Sequence, residues 1–175
     1  CIVKNAREIF AAPHLIIKQS HKNGTFLSEV LDYDAVFNHS LLGVHGNINK
    51  LKYLSVIIGS RVFSYYHILT NRKWLVERDE LEAGDIWQTP IPKPNNAELT
   101  EACNIFDKLV NSPKENYLLE QFVRNMYRLK EYECYQIDII TRKIKSKDMS
   151  KQELKIIPQD GMVHSHQNLR LLGMC

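Results

Sequence analysis

The first 45 residues alternate between short apolar runs and polar turns, a pattern typical of β-strands joined by hairpins. An apolar run at residues 15–17 leads into the polar stretch of residues 19–24. That stretch contains Asn23-Gly24, a pair favoured in tight hairpin turns. Residues 25–31 and 35–42 then continue the strand pattern. We therefore predict a hairpin or a three-stranded meander.

The hydrophobic period changes to that of a helix in residues 51–69. One apolar stripe runs through this segment, made of Leu51, Leu54, Ile58, Val62, Tyr65 and Leu69. Gly59 and Ser60 interrupt it. Since glycine suits the end of a helix and serine the N-cap of the next, we predict two short helices joined at this pair. Leu54, Ile58 and Phe63 are expected in the core of the helix pair.

Residues 85–91 return to an extended pattern, and three nearby prolines are expected to end the β part because they cannot donate to an interior strand ladder. The helical period resumes after residue 96. A first helix covers residues 99–110, and Ser112 is predicted to cap a second that contains Pro113 in its first turn. A third helix is predicted over residues 132–144, with Tyr135, Ile139 and Ile140 facing inward.

These patterns together predict an α+β fold with three segments. Residues 1–94 are expected to form a β-rich domain in which the helix pair is inserted at residues 50–70. Residues 95–145 form a helical extension, and residues 146–175 a basic tail to which the pattern assigns no role.

The composition is that of an ordinary globular protein, with 44% hydrophobic and 25% charged residues. The longest apolar run, residues 54–58 interrupted by Ser55, is far shorter than the roughly 20 residues that a membrane helix needs. Because the chain begins at Cys1 rather than Met, we interpret it as a piece of a longer protein. The four cysteines are too far apart for a zinc knuckle, which favours a reducing, cytoplasmic setting.

The charges are unevenly distributed along the chain. Residues 1–78 hold ten Lys or Arg against five Asp or Glu, whereas residues 79–135 hold six against eleven. Residues 136–175 hold seven against four. A basic half joined to an acidic segment indicates a polyanion-binding surface on one side, although ordinary uneven surface charge would give the same counts.

Sequence signatures of catalysis are missing. There is no glycine-rich phosphate loop and no Asn/Asp-Pro-Pro-aromatic tetrapeptide of the kind that adenine methyltransferases use. Asp32 and Asp34, or the charged cluster at residues 77–80, could bind a nuclease metal, but paired acids are common on any surface. His164 and His166 lack a third ligand nearby. We therefore expect no catalytic residue, no metal site and no cofactor in this chain.

Polar and basic side chains cluster at three predicted turns of the basic half. Base edges are bound by Asn, Gln, Arg, Lys, Ser and His, and phosphates mainly by Lys and Arg. Each residue alone is equally an ordinary loop residue, but the set favours DNA binding, and we expect its members on one side of the fold. The candidate DNA-binding residues are Lys18, His21, Lys22, Asn23, Asn38, His39, Arg72 and Lys73.

Two stretches carry a resemblance to a known family: LKYLSVIIGSRVFSYYHIL at residues 51–69 and WLVERDELEAGDIWQTPIPKP at residues 74–94. They resemble the C-terminal target recognition domain of adenine-N6 DNA methyltransferases, most closely those of type IIG restriction-modification enzymes. The helix pair and the following Pro-Ile-Pro motif are also similar to the specificity subunits of type I systems. The segment ENYLLEQFVRNMYRLKEYECYQIDII, residues 115–140, resembles the helical tail that follows this domain.

The resemblance implies a non-catalytic module that recognises a DNA sequence. Its partners would be double-stranded DNA and the methyltransferase domain of the same chain or of another subunit. S-adenosylmethionine would bind elsewhere in the parent enzyme, and no membrane is involved. The alternative is a docking module that positions a methyltransferase or restriction subunit and contacts DNA only weakly.

Overall fold

The computed structural model describes residues 10–22, 24–71, 80–112 and 115–146. Within them, a small sheet is followed by helices, so the predicted α+β fold is confirmed. No helix in these ranges is long and apolar enough to cross a membrane. The elements, in chain order, are β1 (His14–Lys22), β2 (Thr25–Leu31), β3 (Leu41–His45), α1 (Ile48–Ile58), α2 (Arg61–Thr70), α3 (Ala83–Trp87), α4 (Asn96–Asn111), α5 (Asn116–Met126) and α6 (Glu131–Ser146).

The three strands form an antiparallel sheet in the order β2-β1-β3. Ile17 of the central strand faces Ser28 on one side and Leu42 on the other, and the β1–β2 register shifts between Ile17 and His21. The strand predicted at residues 35–42 is wrong, because β3 begins only at Leu41. The preceding residues form a turn in which the backbone N–H of Leu41 donates to the Asn38 carbonyl at 3.2 Å.

The helix pair is confirmed, together with its break. Gly59 ends α1, and Ser60 caps α2 by accepting a hydrogen bond from the Phe63 backbone N–H at 3.1 Å. Phe63 and Ile58 are almost completely buried, as predicted, with 1% and 2% of their surface exposed. Leu54 is only half-buried and packs at the edge of the core.

The extended segment predicted at residues 85–91 is wrong, since the short helix α3 occupies its first half. A reciprocal capping box favours this helix: the backbone N–H of Glu82 donates to the Asp85 carboxylate at 2.8 Å. Within α3, Ile86 is the one buried residue.

Two details of the later helices also differ from prediction. Ser112 ends α4 rather than capping α5, which begins after Glu115, and Pro113 lies outside the described residues. In α6, Tyr135 and Ile139 are exposed and Ile140 is half-buried. Among residues 131–142 of this helix, whose burial the structure describes, Ile137 and Thr141 are buried, because a different face of α6 packs on α2.

One hydrophobic core extends across the domain boundary predicted between residues 94 and 95. It includes Leu15 of the sheet and Val123 of α5. Two buried tyrosines also tie the proline segment to this core. The hydroxyls of Tyr53 and Tyr127 donate to the carbonyls of Pro92 and Pro90, each at 2.7 Å. The boundary therefore does not separate two cores.

A buried histidine links α2 to the residues that follow α3. The Nε2 atom of His67 lies 2.9 Å from the Thr89 hydroxyl, and the ring is 1% exposed. Burial lowers the pKa of His67 from 6.5 to about 4, an effect that the nearby charge of Asp85 partly opposes. His67 is therefore neutral in the folded protein at neutral pH.

This pKa shift predicts that acid destabilises the fold through His67. The unfolded chain binds the proton first, so the stabilisation is complete above pH 6.5 and is lost as the pH falls towards about 4. The loss amounts to roughly 3 kcal/mol over that range. Urea unfolding at pH 7 and at about pH 4.5 should show a smaller drop in stability for His67→Gln than for the unaltered protein.

The matched control is His39→Gln, which removes an exposed histidine. This control should retain the full pH dependence of the unaltered protein. An equal drop in the His67→Gln and unaltered proteins would contradict the assignment to His67.

Candidate nucleic-acid interface

The sheet brings two of the three predicted polar clusters together at one end of β1. Lys18 pairs with Leu41 across the β1–β3 ladder, and the Gln19 backbone N–H donates to the Ser40 carbonyl at 3.2 Å. The turn that carries Asn38 and His39 therefore lies beside the end of β1. We call this region, residues 18–21 with residues 38–40, the β1-end surface.

Three residues of the β1-end surface, Lys18, Asn38 and His39, are exposed to solvent. Within the described part of the chain, Lys18 forms no ion pair. A cation and an imidazole on adjacent segments can contact a phosphate and a base edge, respectively.

Two other candidates already serve the local fold. The Nδ1 atom of His21 accepts a hydrogen bond from the Gly24 backbone N–H at 3.4 Å, within the β1–β2 hairpin. Gly24 has a φ of 80°, a conformation that glycine adopts without strain. The amide oxygen of Asn38 accepts from the backbone N–H and the hydroxyl of Ser40, at 3.1 and 2.6 Å. Asn38 is thus a turn-forming residue, which makes His39 the more available side chain.

The structure does not place every predicted residue. Asn23, Arg72 and Lys73 lie outside the described residues, as does the side chain of Lys22, whose backbone ends β1.

An acidic residue pairs with β1 near the same end. Glu80 forms an antiparallel bridge with Ser20, and the backbone N–H of Leu81 donates to the Gln19 carbonyl at 3.0 Å. An acidic residue therefore borders the β1-end surface. Nothing in the local sequence indicated this pairing.

Part of the basic charge of the first half is used inside the fold. Lys52 pairs with Asp107 at 2.7 Å, and Arg61 pairs with Asp138 at 2.7 Å. Arg124 also contacts Asp138, at 2.6 Å. Burial alone would raise the pKa of Asp138, but the hydrogen bonds from Arg124 and Arg61 outweigh it and lower the pKa. Of these pairs, Lys52–Asp107 joins the basic half to the acidic segment, so part of the charge split serves pairing within the chain.

The structure places some of the residues considered for a metal site. No three His, Cys, Asp or Glu side chains among the described residues are grouped to hold a metal ion. Asp34, one of the two acids considered for a nuclease site, accepts a hydrogen bond from the Ala12 backbone N–H at 2.8 Å.

No protein-family model, curated protein or solved structure matches this chain. The function of this chain is therefore inferred from its own residues and their geometry.

The role of Asn38 leads to a stability prediction. Asn38→Ala removes the acceptor of two hydrogen bonds and should lower the free energy of unfolding by about 0.5–1.5 kcal/mol. Asn38→Asp keeps an acceptor oxygen at the same place and should retain most of that stability. Urea denaturation measures both.

His39→Ala is the control, because the side chain of this exposed neighbour takes no part in the Asn38–Ser40 hydrogen bonds of the turn. Its stability should equal that of the unaltered protein. If Asn38→Ala is as stable as His39→Ala, the turn does not depend on the amide oxygen and Asn38 is again available for a ligand.

Proposed function

We propose that this chain is a sequence-specific DNA recognition module of a restriction-modification enzyme of the adenine-N6 methyltransferase type. The observation that carries the proposal is the Gln19–Ser40 hydrogen bond, which joins two polar clusters into the β1-end surface. The resemblance of residues 51–94 to target recognition domains supports the same function.

The β1-end surface has a shape and chemistry suited to duplex DNA. The major groove admits a two-stranded β-ribbon, and here a hairpin turn and a second turn lie at the same end of β1. Lys18 is suited to a phosphate, and the imidazole of His39 can donate to or accept from a base edge. Residues Arg72 and Lys73 would add phosphate contacts.

The module is proposed to act without a catalytic site or cofactor of its own. Methyl transfer, with S-adenosylmethionine, would belong to a methyltransferase domain of the same chain or of a partner subunit. Such a module works on double-stranded DNA in the cytoplasm.

The alternative is a protein docking module with weak DNA contact. Exposed apolar side chains on the outer side of α6 favour it: Tyr132 and Tyr135 are solvent-exposed, and Ile139 borders them. Salt dependence distinguishes the two functions, since phosphate contacts release counterions and protein docking through apolar surface does not.

The test begins with selection of bound duplexes from a random DNA library, followed by affinity measurements between about 50 and 200 mM salt. Lys18→Gln should weaken binding to all duplexes alike and lower the salt slope by about one unit. His39→Ala should keep non-specific affinity and reduce the preference at one base pair by about 1–3 kcal/mol.

Lys108→Gln is the matched control, because Lys108 is an exposed lysine of α4. It should leave both the affinity and the salt slope unchanged. Failure to select any sequence, with affinity independent of salt, would reject DNA recognition and favour the docking module.

A further inference from the structure

A groove lies alongside strand β2. It encloses about 730 Å³, within the size range of ligand sites in proteins. One wall consists of the five consecutive residues 25–29. Because side chains alternate between the two faces of a strand, a wall of consecutive residues means that the groove follows the backbone edge of β2.

This edge carries main-chain hydrogen-bonding groups. In the sheet order β2-β1-β3, β2 is an outer strand of the described sheet, with β1 on one side only. Every second residue of an outer antiparallel strand directs its N–H and C=O away from the sheet. The part of β2 at residues 27–29 contains no proline or lysine, two residue types that commonly discourage pairing at an edge.

The helices that line the groove contribute mostly apolar side chains. These are Phe106, Leu109 and Val110 of α4, Leu119 of α5 and Val56 of α1. At the rim, Leu27 of β2 is 46% exposed and Val110 is 65% exposed. The groove thus combines a backbone edge with exposed apolar side chains.

We propose that this groove binds an extended, alternately apolar peptide segment of a partner protein, which adds to β2 as a further strand. Such a peptide supplies main-chain partners along the edge and apolar side chains for the apolar residues of α4. An added helix would leave the edge groups without partners, because a helix uses its own main-chain groups internally.

Charge and length define the peptide further. Among the lining residues, Lys18 is the one cation and Glu29 the one anion. A neutral peptide with one acidic and one basic side chain is therefore complementary to the groove, whereas a polyanion is not. The edge at residues 27–29 corresponds to about 10 Å of strand. The bound segment is therefore short, about three to five residues. Lys18 also belongs to the β1-end surface, but the proposal does not depend on DNA binding.

The experiment uses a phage-displayed library of random dodecapeptides, selected on the full chain. Enriched peptides should share apolar residues at every second position, which is the period of a strand. Val110→Glu should weaken binding of a selected peptide at least tenfold, because it puts a charge on the apolar rim. Val36→Glu, at an 87% exposed valine outside the groove lining, should leave binding unchanged.

A second measurement leaves the protein unaltered. N-methylation of alternate amides of the selected peptide should weaken binding at least tenfold in one of the two registers, because it removes edge hydrogen bonds. The absence of enriched peptides would overturn the proposal, as would enrichment of a helical repeat. Insensitivity to N-methylation in both registers, or equal effects of Val110→Glu and Val36→Glu, would also overturn it.

Discussion

The burial of α1 on nearly all of its sides is the constraint on which the rest of the structure depends. Its buried residues include Leu51, Tyr53, Val56, Ile57 and Ile58, which point in different directions around the helix axis. A helix of this kind is stable only when other elements surround it. Here β1, β2, α2, α4 and α5 do so. Both the β1-end surface and the β2 groove therefore keep their positions through one central helix.

Polar contacts determine how the surrounding elements sit on α1. The hydroxyls of Ser28 and Ser55 lie 2.9 Å apart, joining β2 to α1. The backbone N–H of Arg61, at the start of α2, donates to the Glu120 carboxylate at 2.9 Å. Burial raises the pKa of Glu120, although both neighbouring arginines oppose the rise. Apolar packing has little directionality, so these contacts select one arrangement among several of similar burial.

The two candidate surfaces differ in the chemistry that they offer. The β1-end surface presents polar side chains on turns, where exposed groups can meet a polyanion. The groove presents a backbone edge and apolar side chains, which suit an extended peptide. Because Lys18 belongs to the β1-end surface and also lines the groove, the two candidate surfaces are neighbours in the fold.

The sequence by itself determined the elements whose signals are local. The break at Gly59-Ser60, strand β2 and the three later helices follow from hydrophobic period and capping, which act within a few residues. The tertiary structure alone decided that the turn at residues 38–40 lies beside β1, through the Gln19–Ser40 hydrogen bond. It also decided that Arg61 pairs with Asp138, 77 residues away in sequence. The physical reason is that a side chain's role depends on which groups it meets in space, and residue identity and spacing do not specify such distant partners.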